Sequence, residues 1–415
     1  MVLTLTPTAP PIRRSRPEQE RIETLVTHFT ANYAVDPATV RVVKAPLRIC
    51  PLGAHIDHQL GPVTGMTIDQ SILLAFAPAA DDTVYLESLN FEHPRSFSLN
   101  NVPPYQPRDW GNYVRGAVLA LQREHQLQRG LVGVIEGNMP IGGLSSSAAV
   151  TIAYLLALEA INDLDVSAKT NIGLVRYTEN EYIGLNNGIL DQSVILFSQA
   201  NHLTLIDPQT LEITQIPTSL RPNDFEILVV YSGVTHVLVG TDYNNRVAEC
   251  RQAAEGLLNL NGHTDLADPR LRQVDPQIFA TEGHRLPPLL QRRATHYFGE
   301  QQRVSDGVAA WRSGDLAHFG RLMNESGESS VKYYECGSPQ LITLYEILRQ
   351  TPGVYGARFS GAGFRGNCIA LVDPAAGDSI AATIHRRYPV AHPEVADRYS
   401  IHFCQPDGRA ELCRL

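Results

Sequence analysis

The sequence predicts an α+β fold in two domains, and three observations carry that prediction. β-rich and helix-periodic stretches alternate along the chain, with no internal repeat and no low-complexity block. The chain has 415 residues, 43% of them apolar and 19% charged, which is more than one hydrophobic core usually organises. Near its middle, residues 215–225 (QIPTSLRPNDF) gather two prolines, serine, asparagine and aspartate ahead of a new apolar strand. That puts the division near Arg221, with domains over residues 17–220 and 221–415. Residues 1–16, rich in proline and with no apolar pattern, read as a loose tail.

The elements follow in order. Residues 40–50 (VRVVKAPLRIC) and 71–79 (SILLAFAPA) are dominated by β-branched and apolar residues between turn signals, which predicts strands. Residues 131–137 (LVGVIEG) and 225–233 (FEILVVYSG) read the same way. Apolar residues recur at helical spacing in 109–126 (DWGNYVRGAVLALQREHQ), 147–162 (SAAVTIAYLLALEAIN) and 169–184 (KTNIGLVRYTENEYIG). The same spacing marks 247–260 (VAECRQAAEGLLNL) and 339–350 (PQLITLYEILRQ) as helices.

A formal charge of −9 argues against nucleic acid or an anionic membrane as partner, since both need a basic face. Any anionic substrate must then meet a local group of arginines. The six cysteines lie far apart and form no CxxC pair, as expected of reduced thiols in a cytoplasm. The N-terminus has prolines where a signal peptide needs an apolar stretch, and the longest apolar run, residues 148–161, is too short to span a bilayer. Oligomeric state leaves no mark on the sequence.

Two stretches carry chemistry on their own. In residues 137–161 (GNMPIGGLSSSAAVTIAYLLALEAI), Gly142, Gly143 and the triplet Ser145, Ser146, Ser147 immediately precede a long helix. Glycines let the backbone approach an anion, serines supply hydroxyl donors, and the helix N-terminus offers unpaired N–H groups. That is a phosphate cradle without a lysine; the alternative is a glycine-serine cap on a core helix. The Walker pattern GxxxxGK[ST] is absent. The second stretch, residues 51–62 (PLGAHIDHQLGP), sets His55 and His58 around Asp57. A zinc site would need three or four ligands, and no other cluster at helical or hairpin spacing completes this one.

Three motifs in order, residues 45–63 (APLRICPLGAHIDHQLGPV), 140–150 (PIGGLSSSAAV) and 353–372 (GVYGARFSGAGFRGNCIALV), resemble those of the galactokinase branch of the GHMP small-molecule kinases. Further matches are WGNYVRGAV, NNGILDQS, THVLVGTDYNNRVAEC and RLMNESGESS, so the resemblance runs from about residue 41 to the end. It implies an N-terminal α/β domain and a C-terminal ferredoxin-like α+β domain, with the active site in the cleft between them. It also implies a sugar 1-kinase that uses ATP and magnesium. One departure is that this chain has one residue fewer between Pro140 and Leu144 than the family's P-x-G-G-G-L pattern.

Within the branch, the first motif is similar to the galacturonokinase form. Galactokinases carry glutamate where this chain has Ala54, and that glutamate accepts a hydrogen bond from the sugar's 6-hydroxyl. A carboxylate at carbon 6 has no such proton to give and would be repelled by a second carboxylate. Ala54 therefore favours a uronic acid, D-galacturonate, with an ordinary galactokinase that tolerates Ala54 as one alternative. A second alternative is a non-catalytic sensor that binds ATP and sugar, which the presence of Arg48, Asp191 and the serine triplet opposes.

The resemblance also implies residue roles. Asp191 would accept the sugar 1-hydroxyl proton, and Arg48 would balance Asp191 and the moving phosphoryl group. His55 and Asp57 would read sugar hydroxyls, Tyr243 would contact the sugar and Gly188 would back it. His58 replaces a tyrosine, which leaves a ligand contact and a supporting contact both open. Ser147 and Glu179 occupy metal-ligand positions, with Glu181 close enough to compete and a solvated helix face as the alternative for both glutamates. Trp110 aligns with an aromatic that stacks on adenine. A substrate carboxylate needs a cation, for which Arg365 is the first candidate and Arg358 and Arg246 the others.

Overall fold

The computed structural model describes residues 12–14, 16–140, 143–234, 241–264, 266–364 and 366–413; for residues 13, 241 and 242 it describes the backbone only. Among these the strands form two sheets, one of eight strands and one of five. The first runs in the order Glu411–Cys413, Arg41–Ile49, Val63–Pro78, Leu131–Gly137, Thr83–Ser88, Arg95–Ser98. The far end of Val63–Pro78 also pairs with Leu203–Asp207, which pairs in turn with Glu212–Ile216. The second runs Ile12–Arg14, Ser400–Cys404, Glu226–Tyr231, Asn367–Val372, Val354–Phe359.

The predicted strands sit at the centres of these sheets because they are apolar on both faces. Arg41–Ile49 is buried at eight consecutive residues, and every residue of Glu226–Tyr231 is buried. Its helix Ser146–Ile161 is apolar all round and packs between the first sheet and the helices Asn112–Gln122 and Leu190–Phe197, which makes it the middle of a lobe rather than a cover. Residues 217–225 connect Glu212–Ile216 with Glu226–Tyr231, and so pass from the first sheet to the second.

Two features differ from the sequence expectation. Within the supposed tail, Ile12–Arg14 pairs in parallel with Ser400–Cys404, and Arg14 Nη1 meets Glu226 Oε1 at 3.0 Å. At the other end, Glu411–Cys413 pairs with Val42–Lys44 in the first sheet. Each terminus therefore supplies an edge strand to the sheet built mostly from the other half of the chain. Three-residue strands carry too little periodicity to stand out in sequence.

No helix among the described residues is long and apolar enough to cross a membrane. The six cysteines form no disulfide, and five of them are buried.

Candidate active site

Arg48 stands near the end of a central strand, and Asp191 in the first turn of the helix Leu190–Phe197. Arg48 Nε and Nη2 both reach Asp191 Oδ1, at 2.8 and 2.6 Å, and both residues line one cavity. The guanidinium is buried while the Asp191 side chain keeps 22% of its exposure. Arg48 Nη1 also approaches the Gly143 carbonyl and Ser360 Oγ, both at 3.4 Å. One side chain thus ties the first lobe to the loops of the second and third motifs.

Those two loops meet backbone to backbone. Gly143 (φ 76°) has room for no side chain, since a Cβ there would stand 2.9 Å from the Ser360 carbonyl; a Cβ on Gly361 (φ 72°) would stand 2.6 Å from Gly143 Cα. Ser145 is the residue before the helix Ser146–Ile161 and takes a left-handed conformation (φ 60°), unusual outside glycine. Its hydroxyl does not cap the helix; Oγ is buried and has no hydrogen-bond partner among the described residues. Ser146 and Ser147 open the helix, and all three serines line the cavity. An orphan hydroxyl at a helix N-terminus suits an anion, which favours the phosphate-cradle reading over the capping one. Gly142 lies outside the described residues.

The sugar motif supplies another part of the same lining. Ala54, His55 and Asp57 line the cavity with Tyr243, Gly188 and Asn187. The Ala54 carbonyl accepts from His296 Nε2 at 2.9 Å, and Ser329 Oγ lies 2.9 Å from His296 Nδ1, so the neutral ring carries its proton on Nε2. His55 takes a left-handed conformation (φ 62°) and stacks on the Tyr334 ring, centroids 4.4 Å apart and 7° from parallel. Burial, then the charges of His296 and Arg358, holds His55 well below the ordinary histidine range, so it reads its ligand as a neutral ring.

Asp57 Oδ2 accepts the Leu190 N–H at 3.3 Å. Burial and the nearby Asp191 charge push its pKa up to about 6. Gly188 is explained by this carboxylate, because any Cβ there would overlap Asp57.

His58 is a supporting residue. It does not line the main cavity; its Nδ1 lies 3.1 Å from Gln59 Nε2 and its Nε2 3.3 Å from the Tyr334 hydroxyl. Gln59 Nε2 can only donate, so Nε2–H of His58 donates to Tyr334, the ring on which His55 stacks.

The structure separates Glu179 from Glu181. The helix Ala168–Arg176 continues as a π-turn, Tyr177–Ile183, that closes on Gly184 (φ 89°). The widened turn points Glu179 inward, fully buried, and leaves the Glu181 side chain 66% exposed. Asn187 Nδ2 donates to Glu179 Oε2 at 3.3 Å, the Ser147 side chain lies beside it, and Oε1 has no hydrogen-bond partner among the described residues. Burial and then the Asp191 charge raise its pKa to about 7.

Two expectations change in the structure. Trp110 does not line the cavity; its ring packs against Phe91 and the Arg95 guanidinium, whereas Tyr113, on the first turn of the next helix, lines the cavity. Arg246 is bound to both Glu249 oxygens at 3.1 Å and to the Glu335 carbonyl at 3.2 Å, and it too is absent from the cavity wall. Arg365 lies outside the described residues. Cys50, Asn244, Arg358 and Phe364 line the cavity without having been singled out for that wall, apart from Arg358, which the sequence offered only as one cation among three. All four lie inside matched motifs, where residue type and spacing alone do not say which side chains turn toward the cavity.

The family profile described as GHMP kinases N terminal domain matches residues 112–199, and GHMP kinases C terminal matches 308–390. The galactokinase galactose-binding signature matches 27–78. A galacturonokinase of Arabidopsis thaliana is 46% identical over 384 residues, which cover 87% of this chain and 90% of that protein. A galactokinase of Roseiflexus sp. (strain RS-1) is 31% identical over 378 residues, 91% of this chain and 93% of that protein. The crystal structure of Lactococcus lactis galactokinase complexed with galactose superposes with a TM-score of 0.85 at 29% identity, covering 94% of this chain and 99% of that one.

Proposed function

This chain belongs to the GHMP kinases, in the branch of the galactokinases and galacturonokinases, and on that premise we propose that it phosphorylates the anomeric hydroxyl of D-galacturonate from ATP. The observation that carries the uronate over a neutral sugar is Ala54. It brings no carboxylate to the wall it shares with His55 and Arg358, so a substrate carboxylate meets no like charge there.

In the proposed reaction the Asp191 carboxylate accepts the 1-hydroxyl proton as the sugar's anomeric oxygen bonds to the γ-phosphorus and the bond from that phosphorus to ADP breaks. Arg48 fixes Asp191 through Oδ1 and carries positive charge toward the phosphate loop. Gly143, Ser145, Ser146 and Ser147 present backbone N–H groups and hydroxyls to the phosphates. Tyr113 is better placed than Trp110 to flank the base, since it lines the cavity. Asp57 offers two acceptor oxygens to adjacent sugar hydroxyls, with Tyr243 and His55 beside it.

The residues present fit a magnesium ion: Glu179 is a buried carboxylate with a partnerless oxygen, and a serine hydroxyl lies next to it. Ser147 and Glu179 would hold the ion, which would supply positive charge to offset that of the phosphates.

The test is ADP release by the purified protein with ATP and magnesium, on galacturonate, glucuronate, galactose and glucose in parallel. Turnover on galacturonate, with Ala54→Glu lowering its kcat/KM by about 1,000-fold, is the expected result, because a mismatch at a built polar site is that large. Turnover on galactose alone would make this an ordinary galactokinase, and no ADP release on any sugar would make it a sensor.

A further inference from the structure

The cations around the cavity sort by what already holds them. Arg48 is committed to Asp191, and Arg246 to Glu249 outside the cavity. Arg358, on the strand Val354–Phe359, lines the cavity and is only 1% exposed. Its Nε–H donates to the Phe359 carbonyl at 3.0 Å and its Nη1–H to Ser326 Oγ at 2.9 Å. Among the described residues no ion pair joins it to a carboxylate.

The nearest acid in this network is Glu300, and it is taken. Glu300 Oε1 receives Arg303 Nε at 2.7 Å, while Oε2 receives Ser326 Oγ and the Gly53 N–H, both at 2.9 Å. One carboxylate therefore stands against two guanidinium groups, that of Arg358 buried and that of Arg303 partly so. A buried cation without its own counter-charge is costly, and such an arrangement is expected where the ligand brings the missing charge. Glu300 also fixes Gly53, and His296 fixes the Ala54 carbonyl, so the methyl group of Ala54 and the Arg358 guanidinium are held on one frame. Asp57 and Asp191, which line the same cavity, would repel a carboxylate, so among the lining groups the uncommitted Arg358 guanidinium is the one that would attract it.

We propose that Arg358 is the residue that receives the carbon-6 carboxylate of the sugar acid, which enters over Ala54. This rests on the uronate reading given above. The residue sets specificity through charge, and the hydroxyl-reading residues stay as they are.

Three ligands separate the possibilities: D-galacturonate, its neutral amide D-galacturonamide, and D-galactose. Binding is followed by calorimetry and turnover by ADP release, with the variants Arg358→Met and Arg358→Lys. In Arg358→Met, galacturonate should lose about 100-fold in kcat/KM, mostly through KM, while galacturonamide changes by a few-fold at most. Arg358→Lys should recover part of the loss, and the melting temperature of Arg358→Met should hold or rise, since an unpaired buried charge has been removed.

Equal losses on the acid and the amide together with a lower melting temperature would make Arg358 a structural residue and overturn the proposal. So would an unchanged ratio of acid to amide in Arg358→Met, and the neutral variant Arg358→Gln keeps that reading available if the methionine one does not fold. A wild-type protein that prefers galactose to galacturonate overturns the uronate reading itself, whereas a wild-type preference for galacturonate that survives both substitutions overturns only the role of Arg358.

Discussion

Asp57 is the carboxylate whose ionisation sugar binding should follow. Buried beside Asp191, it has a pKa near 6, and only its ionised form offers every lone pair to sugar hydroxyls. As pH falls through 6 the free protein takes up a proton there, so kcat/KM should drop about tenfold per pH unit below that point. At saturating sugar kcat should hold to lower pH, because bound hydroxyls favour the charged form. A pH profile of kcat/KM checks this; a flat acidic limb between pH 5 and 6 would count against the assignment. The motif residues Arg48, Asp57 and Asp191 were legible in sequence because their neighbours repeat a known pattern. Glu179 was named first by the same pattern with Glu181 left to compete, whereas Tyr113 in place of Trp110 was not legible, since three residues of shift at the start of a helix decide which side chain turns inward.

At the scale of elements, two π-turns shape the site. Tyr177–Ile183 turns Glu179 inward, and Ser330–Tyr334 presents the ring that stacks on His55. A π-turn reads as helix in sequence, and 169–184 was accordingly predicted as one helix. The 26-residue helix Pro288–Ser313 escaped the pattern altogether, because its inner face carries Arg293, His296 and Glu300 where apolar residues would mark periodicity.

The helix Ser146–Ile161 also buries Glu159, whose Oε1 has no hydrogen-bond partner among the described residues and whose Oε2 meets Asn171 Nδ2 at 3.3 Å. Burial raises its pKa to about 7. A folded-state pKa above the unfolded one means that the folded protein favours the protonated acid. The penalty is therefore absent below about pH 4.5, grows as pH rises toward 7, and is complete above it. Glu159→Gln should raise the melting temperature by a few degrees at pH 8, corresponding to about 3 kcal/mol at most, and by almost nothing at pH 4.5. Calorimetric melts at the two pH values test it; an equal gain at both would show that ionisation is not the cause.

At the scale of the molecule, the two lobes share one contiguous core that runs from the first sheet through Trp311 to the second. Trp311 Nε1 donates to the Ile216 carbonyl, and the segment before the C-terminus bonds to the first lobe at Thr67, Asp69 and Ile195. Lys44, buried in that lobe, pairs with Glu18 at 2.5 Å and Asp407 at 2.8 Å, so it links the first helix to the C-terminal segment. With edge strands exchanged and the core continuous, the chain should unfold in a single cooperative transition. Residues 1–220 and 221–415 expressed apart should each fail to give sharp tertiary signals by near-ultraviolet circular dichroism, and should regain them when co-expressed. Two independent transitions, or a folded isolated half, would contradict this.

The sequence by itself determined the central strands, the helix Ser146–Ile161, the order of the three motifs and the absence of a carboxylate at position 54. These are local properties, written in apolar periodicity and in residue types at fixed spacing. Only the tertiary structure decided that Ile12–Arg14 and Glu411–Cys413 cross between the sheets, that Arg246 is already paired, that Glu179 rather than Glu181 is enclosed, and that Arg358 stands in the cavity wall with no ion pair among the described residues. Those facts depend on which distant groups come within a few ångströms of one another, and that is settled by packing.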